Sequence, residues 1–168
     1  MIVTFPSVAV LVRGSAQAAT QSVRALRALT HYPAWSIYLV LDDTPAAEAY
    51  NRISSQCDEE LLLFWEAGLA PTSGSWLERM VAALNNPNVG AAVGMVFAEV
   101  GSPIVGLLTK RDLFDLLGHF DGDRFPARGY LEDYLVRLLG LGSECVAVAD
   151  AEFLAGAAQL SPHASGRV

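Results

Sequence analysis

The chain has 168 residues, 52% of them hydrophobic and 17% charged, with 11 Lys+Arg against 18 Asp+Glu and a formal net charge of −7. This length holds one domain of ordinary size with a packed core, and the apolar composition excludes a disordered chain. The acidic balance repels phosphate backbones and anionic membranes, which argues against nucleic acid as a partner.

Residues 7–12 (SVAVLV) form a short continuous apolar run that reads as a buried first strand. After Gly14-Ser15, residues 16–30 follow a helical pattern: Val23, Leu26 and Leu29 recur at threes, Arg24 and Arg27 lie off that stripe, and Pro33 stops the segment. Residues 35–41 (WSIYLVL) are a second strand ending at Asp42-Asp43. Pro45 opens a second helix with Ala46, Ala49, Tyr50 and Ile53 on one face, and residues 61–65 (LLLFW) are a third strand. Ser75 with Glu78 fits a capping box, predicting a helix over 76–84, and Asn85-Asn86-Pro87-Asn88 is a turn before a strand over 89–97. Residues 109–112 are expected to cap a helix ending near Leu117-Gly118. A loop follows over 121–129, then a helix over 131–141 stopped by Gly142, and a last strand over 145–148. The expected organisation is a single α/β domain over 1–158 and a short tail over 159–168. Its sheet is mainly parallel, with helices on both faces, because strand and helix alternate from residue 7 to about residue 90.

Ligands of such sheets sit beyond the carboxyl ends of the strands. The loops after Val12, Leu41 and Trp65 are therefore the expected pocket rim, and they carry Arg13, Asp42, Asp43 and Glu66. Adjacent carboxylates at a strand end can accept hydrogen bonds from a base or a ribose, and they can equally cap the helix that begins at Pro45. Glu132-Asp133 opens an apolar helix after a flexible loop; a carboxylate there can take a proton from a hydroxyl nucleophile, or simply complement the helix dipole. Asp121 and Asp123 lie in a Gly-rich turn where Asp is expected anyway. His31, His119 and His163 are scattered without metal-ligand spacing, and no G-x-S-x-G, P-loop or G-x-G-x-x-G pattern is present. Cys57 and Cys145 form no C-x-x-C pair and are too few for a disulfide framework, which points to a reduced, cytoplasmic setting. No stretch reaches the roughly 18–20 apolar residues of a membrane helix. The start of the chain lacks a basic leading segment and is broken by Pro6, so a strand is expected there rather than a signal peptide.

Taken in order, these segments resemble a family 2 glycosyltransferase of the GT-A fold, over roughly residues 7–151. VAVLV, a helix and IYLVLDDT resemble that family's opening strand, helix and Asp-Asp strand end. LLLFWEAGLAPTSGSWLERMVAAL resembles the segment that holds its metal-binding D-x-D and the Pro-x-x-Trp-Leu helix after it. GLLTKRDLFDLLGHFDGDRF is similar to its acceptor-side segment, and GYLEDYLVRLLGLG to its Glu-Asp motif. The resemblance implies transfer of a sugar from a nucleotide-diphosphate donor to an acceptor hydroxyl. It implies Asp42 and Asp43 on the nucleotide side and Asp133 as the base, with Glu132 beside it; Arg13, on the same expected pocket rim, is the cation offered to the nucleotide side by its charge. Glu66-Ala67-Gly68 stands where the family has Asp-x-Asp, so the second carboxylate is replaced by Gly68. Residues 44–60 alone separate Asp43 from Leu61, where the family fits an extra helix and strand, and Arg13-Gly14 replaces its Pro-Thr. No metal ligand set and no cofactor is therefore expected. Two readings follow: weak or metal-independent sugar transfer, and a non-catalytic binding or assembly module that associates with itself or a partner through apolar surface.

Overall fold

The computed structural model describes residues 4–41, 43–96 and 106–155. Its elements in chain order are β1 (Val8–Arg13), α1 (Ala16–Leu29), β2 (Trp35–Val40), α2 (Ala46–Ser54), β3 (Leu61–Glu66), β4 (Leu69–Pro71), α3 (Trp76–Ala83), β5 (Val89–Val96), β6 (Gly106–Lys110), α4 (Arg111–Leu117), α5 (Tyr130–Gly140) and β7 (Glu144–Ala155). One sheet has the order β2-β1-β3-β6-β5-β7-β4. Strands β1, β2, β3, β5 and β7 share one direction, while β6 and β4 run against it. The expected α/β architecture with a mainly parallel sheet is thus present.

The two-residue period of the strands sorts the core into two layers. Val8, Val10 and Val12 of β1 and Leu61, Leu63 and Trp65 of β3 pack with Ala19 and Leu26 of α1 and Trp76, Leu77 and Met80 of α3. The intervening Ala9, Leu11, Leu62 and Phe64 pack on the other face with Tyr50 of α2, Phe114 of α4 and Tyr130 and Tyr134 of α5. Side chains such as Leu62, Leu63 and Phe64 are removed from water almost completely, each stabilising the fold by about 1.5–3 kcal/mol. Trp65 and Trp76 lie in the first layer, ring centroids 5.2 Å apart, so they belong to the core and not to a cleft.

Several local expectations are corrected. Thr109 and Lys110 were expected to open a helix; instead they end β6, an antiparallel strand between β3 and β5. Thr109 is fully buried there, its hydroxyl bonded to the Gly90 carbonyl at 2.8 Å and to the Tyr134 hydroxyl at 2.9 Å. Short β4 is also an addition, and it pairs with β7 at the far edge, not with β3. The capping box at Ser75 does not form: Ser75 makes no side-chain bond to the helix amides, and its hydroxyl accepts from Arg79 Nε at 3.2 Å. The last strand is longer than the 145–148 expected. Asp42, Phe97 and the 159–168 tail lie outside the described residues.

Candidate functional site

Arg13 ends β1 and Glu66 ends β3, and the two are direct register partners across the parallel pair. Strand periodicity places their side chains on the layer of Leu11 and Phe64, which is the layer of α2 and α5. Two buried tyrosines from those helices meet Glu66. The Tyr130 hydroxyl donates to Glu66 Oε1 at 3.1 Å. The Tyr50 hydroxyl donates to the Trp65 carbonyl at 3.0 Å and lies 3.4 Å from the same Oε1. Burial raises the pKa of both phenols, and the Glu66 charge raises it further, while Arg13 acts in the opposite direction. Both therefore stay protonated donors at neutral pH. A buried phenol requires a polar partner, and here the partner is the strand-end carboxylate and its neighbouring carbonyl.

Arg13 reaches the other way. Its Nη2 donates to the Thr44 carbonyl at 3.3 Å, in the loop between β2 and α2. Its Nε is buried without a hydrogen-bond partner among the described residues. Asp43 is exposed in the same loop. It does not cap α2: the N-cap of that helix is Pro45, with no side-chain cap bond. Arg13, the Asp43 loop and Glu66 thus share one end of the sheet, as the topology of parallel strands requires.

Glu132 and Asp133 lie in the first turn of α5. Glu132 is exposed. Asp133 is partly buried and tied to its own helix, its Oδ2 accepting from Arg137 Nε at 3.0 Å. Arg137 spends its remaining donors on the end of α4: Nη1 donates to the Leu117 and Gly118 carbonyls, both at 2.8 Å, and Nη2 to the His119 carbonyl at 3.0 Å. Asp133 therefore orients a guanidinium that holds three loop carbonyls. Among the described residues no hydrogen bond or ion pair joins it to Glu66 or Arg13.

The Glu66-Ala67-Gly68 segment has a backbone reason for its composition. Gly68 has φ +100, in the left-handed region that disfavours side chains, at the turn from β3 to β4. Ser22 of α1 fastens this turn: its hydroxyl accepts from the Gly68 amide at 2.9 Å and donates to the Leu69 carbonyl at 3.1 Å. Gly14 is needed for a different reason, since a Cβ there would lie 2.5 Å from Ala67 Cβ. Hard divalent cations require several oxygen ligands, carboxylates foremost. Glu66 alone, shared with two phenols and followed by a glycine at position 68, does not fit such a cation. No group of three His, Cys, Asp or Glu side chains suited to a metal occurs among the described residues.

Two cavities are formed by described residues. One of about 350 Å³ is lined by Pro45, Glu48, Asn51, Phe120, Asp121, Gly122 and Asp123. Another, of about 430 Å³, sits at the opposite end of the sheet beside Pro6, Leu61 and Arg111. The sequence places Tyr50 on an apolar helix face and singles out neither Tyr130 nor Thr44. The available signal was two tyrosines at buried helical positions, each of whose hydroxyls needs a partner.

No protein-family profile and no curated protein matches the chain. Solved structures do. The mannosyltransferase PcManGT from Pyrobaculum calidifontis, in complex with GDP-Man and Mn2+, superposes with TM-score 0.70 at 16% identity, over 89% of this chain and 56% of that one. GalNAc-T7 with UDP, GalNAc and Mn2+ gives TM-score 0.72 at 8% identity, over 89% and 44%. The catalytic domain of Drosophila beta1,4galactosyltransferase 7, in complex with xylobiose, gives 0.63 at 13% identity, over 87% and 66%. The chain thus spans between about two fifths and two thirds of the length of these neighbours. No helix among the described residues is long and apolar enough to cross a membrane. What the likeness shows is the fold alone: the chain has a GT-A-like α/β fold.

Proposed function

We propose that this chain is a family 2-like glycosyltransferase domain without metal-dependent sugar transfer, serving as a non-catalytic binding or assembly module. The carrying observation is the state of Glu66. At the position where the resemblance puts a metal-binding carboxylate, Oε1 lies between the hydroxyls of Tyr50 and Tyr130. The second carboxylate of the pair is Gly68, in a conformation a side chain disfavours. The base candidate Asp133 is committed to Arg137, its Oδ2 accepting from the guanidinium Nε at 3.0 Å. Each feature gives the residue a structural task in place of the catalytic one.

A second reading keeps the nucleotide side. Arg13 brings a guanidinium with a buried Nε that has no partner among the described residues to the strand ends, beside the loop that carries Asp43. Electrostatic stabilisation of a diphosphate leaving group by such a cation, with Asp133 as base, is metal-independent transfer. The neighbours' complexes with GDP-Man and with UDP support nucleotide-sugar recognition on this fold.

Calorimetric titration of the purified chain with uridine and guanosine diphosphate sugars, with and without manganese, separates the two. The module reading expects no turnover and no effect of manganese on binding. Manganese-dependent transfer or donor hydrolysis overturns it. Metal-free turnover lost in Asp133→Asn establishes the second reading instead.

A further inference from the structure

We propose that the outer edge of β2 is a self-association site, at which a second copy of this chain adds its own β2 antiparallel about a two-fold axis. The proposal rests on the strand edge alone and stands whether or not the domain transfers sugar.

Strand β2 ends the sheet, and among the described residues no strand pairs with its outer side. The Val8 and Gly14 amides of β1 donate to the Ala34 and Val40 carbonyls, so these carbonyls face inward. Alternation along the strand then turns the N–H and C=O groups of Trp35, Ile37 and Leu39 outward. Natural edges are normally blunted by a bulge, a proline, a lysine or a covering loop, because an open row of donors and acceptors invites another strand. This edge has none of the first three. Its register with β1 is unbroken from Trp35 to Val40, and residues 34–41 (AWSIYLVL) contain no charge and no proline.

The side chains favour a second copy as the occupant. Trp35 and Ile37 pack against the layer of α1 and α3, and Leu39 falls on the same face by strand periodicity. Leu39 and Leu41 are nonetheless 45% and 49% exposed. A two-fold axis at Tyr38 sets Ile37 opposite Leu39 of the second copy, and Trp35 opposite its Leu41. Each half-exposed leucine then gains a large apolar neighbour directly across the strands, the contact that stabilises sheet pairs. The same axis brings no charge of this segment against its own copy, so the surface is self-complementary as an isologous interface must be. The Tyr38 ring lies on the opposite face, where its hydroxyl donates to the Glu59 carboxylate at 3.0 Å.

Sedimentation equilibrium of the full chain over about 1–100 μM tests this, a range that reveals micromolar dimers. The expected result is a mass rising from 17.9 kDa towards twice that value, with Leu39→Lys weakening association at least ~10-fold. A monomer throughout, or a dimer insensitive to Leu39→Lys, overturns the proposal. Amide exchange on the unmodified chain gives an independent readout if the variant folds poorly. The Ile37 and Leu39 amides should gain protection with concentration, while those of Ser36 and Tyr38, which face β1, stay protected at all concentrations. Exchange at Ile37 and Leu39 that ignores concentration also overturns it.

Discussion

Tyr130 and Glu66, 64 residues apart, are joined by a hydrogen bond of 3.1 Å that ties the start of α5 to the end of β3. The donor is buried and the acceptor is a carboxylate, so the bond belongs to the stronger, charge-assisted kind. In Tyr130→Phe, stability should fall by about 1.5–3 kcal/mol, read from urea unfolding. A double-mutant cycle with Glu66→Gln should show coupling of about 1 kcal/mol, and strict additivity would separate the two residues energetically.

Restoring a carboxylate at position 68 should harm the protein without creating a metal site. Gly68 has open space around its Cα, so the cost of Gly68→Asp comes from the backbone at φ +100 alone. It should amount to about 1–2 kcal/mol, seen as a lower urea midpoint. Manganese should produce no saturable binding heat with this variant; a saturable site would show that Glu66 is free to ligate.

The Asp133–Arg137 pair has an unequal division of labour. Asp133→Asn should cost about 1 kcal/mol or less, because the pair is an i,i+4 contact with some solvent access. Arg137→Met should cost more, about 2–3 kcal/mol, because the guanidinium also satisfies the carbonyls of Leu117, Gly118 and His119. Thermal unfolding of both variants checks the order, and equal losses would contradict the bracing role of the guanidinium.

Stability should fall as pH rises above about 9. Burial pushes the Cys57 thiol up from its ordinary value of 9.0 to about 11, and the Tyr134 phenol from 10.0 to about 12. In both cases the folded pKa exceeds the unfolded one. The unfolded chain therefore loses its proton first, and stability is complete below the unfolded pKa and declines towards the folded one. Cys57→Ala should make the decline between about pH 9 and 11 shallower, leaving the shares of the Cys145 thiol, also raised by burial, and of the tyrosines, measured by urea titration at stepped pH. An unchanged alkaline profile in Cys57→Ala would contradict the buried-thiol origin.

Much of this was legible because it is local. The run SVAVLV and the helical recurrence over 16–29 differ in period, which separates β1 from α1, but the stripe is legible only in part: α1 buries Ala19, Ser22 and Leu26, while Leu29 is exposed. The segment 106–110 was less legible. Its threonine and lysine, followed by Arg111 and an apolar stretch, match a helix start as well as a strand end, and only antiparallel pairing with β3 and β5 decides between them. The Asp133 assignment shows the same limit: a Glu-Asp pair at a helix start looks identical in sequence whether it faces a ligand or holds an arginine one turn on.

By itself, the order of residues determined the α/β class, the two-sided burial of β1 and β3, and the placing of Arg13 and Glu66 at strand ends, because these follow from periods of two and 3.6 within single segments. The tertiary structure alone decided that β6 enters against the other strands, that β2 is left at an edge, and that Glu66 meets two phenols. Those outcomes depend on contacts between distant segments, where hydroxyl, carboxylate and open strand edge find partners that no local pattern encodes.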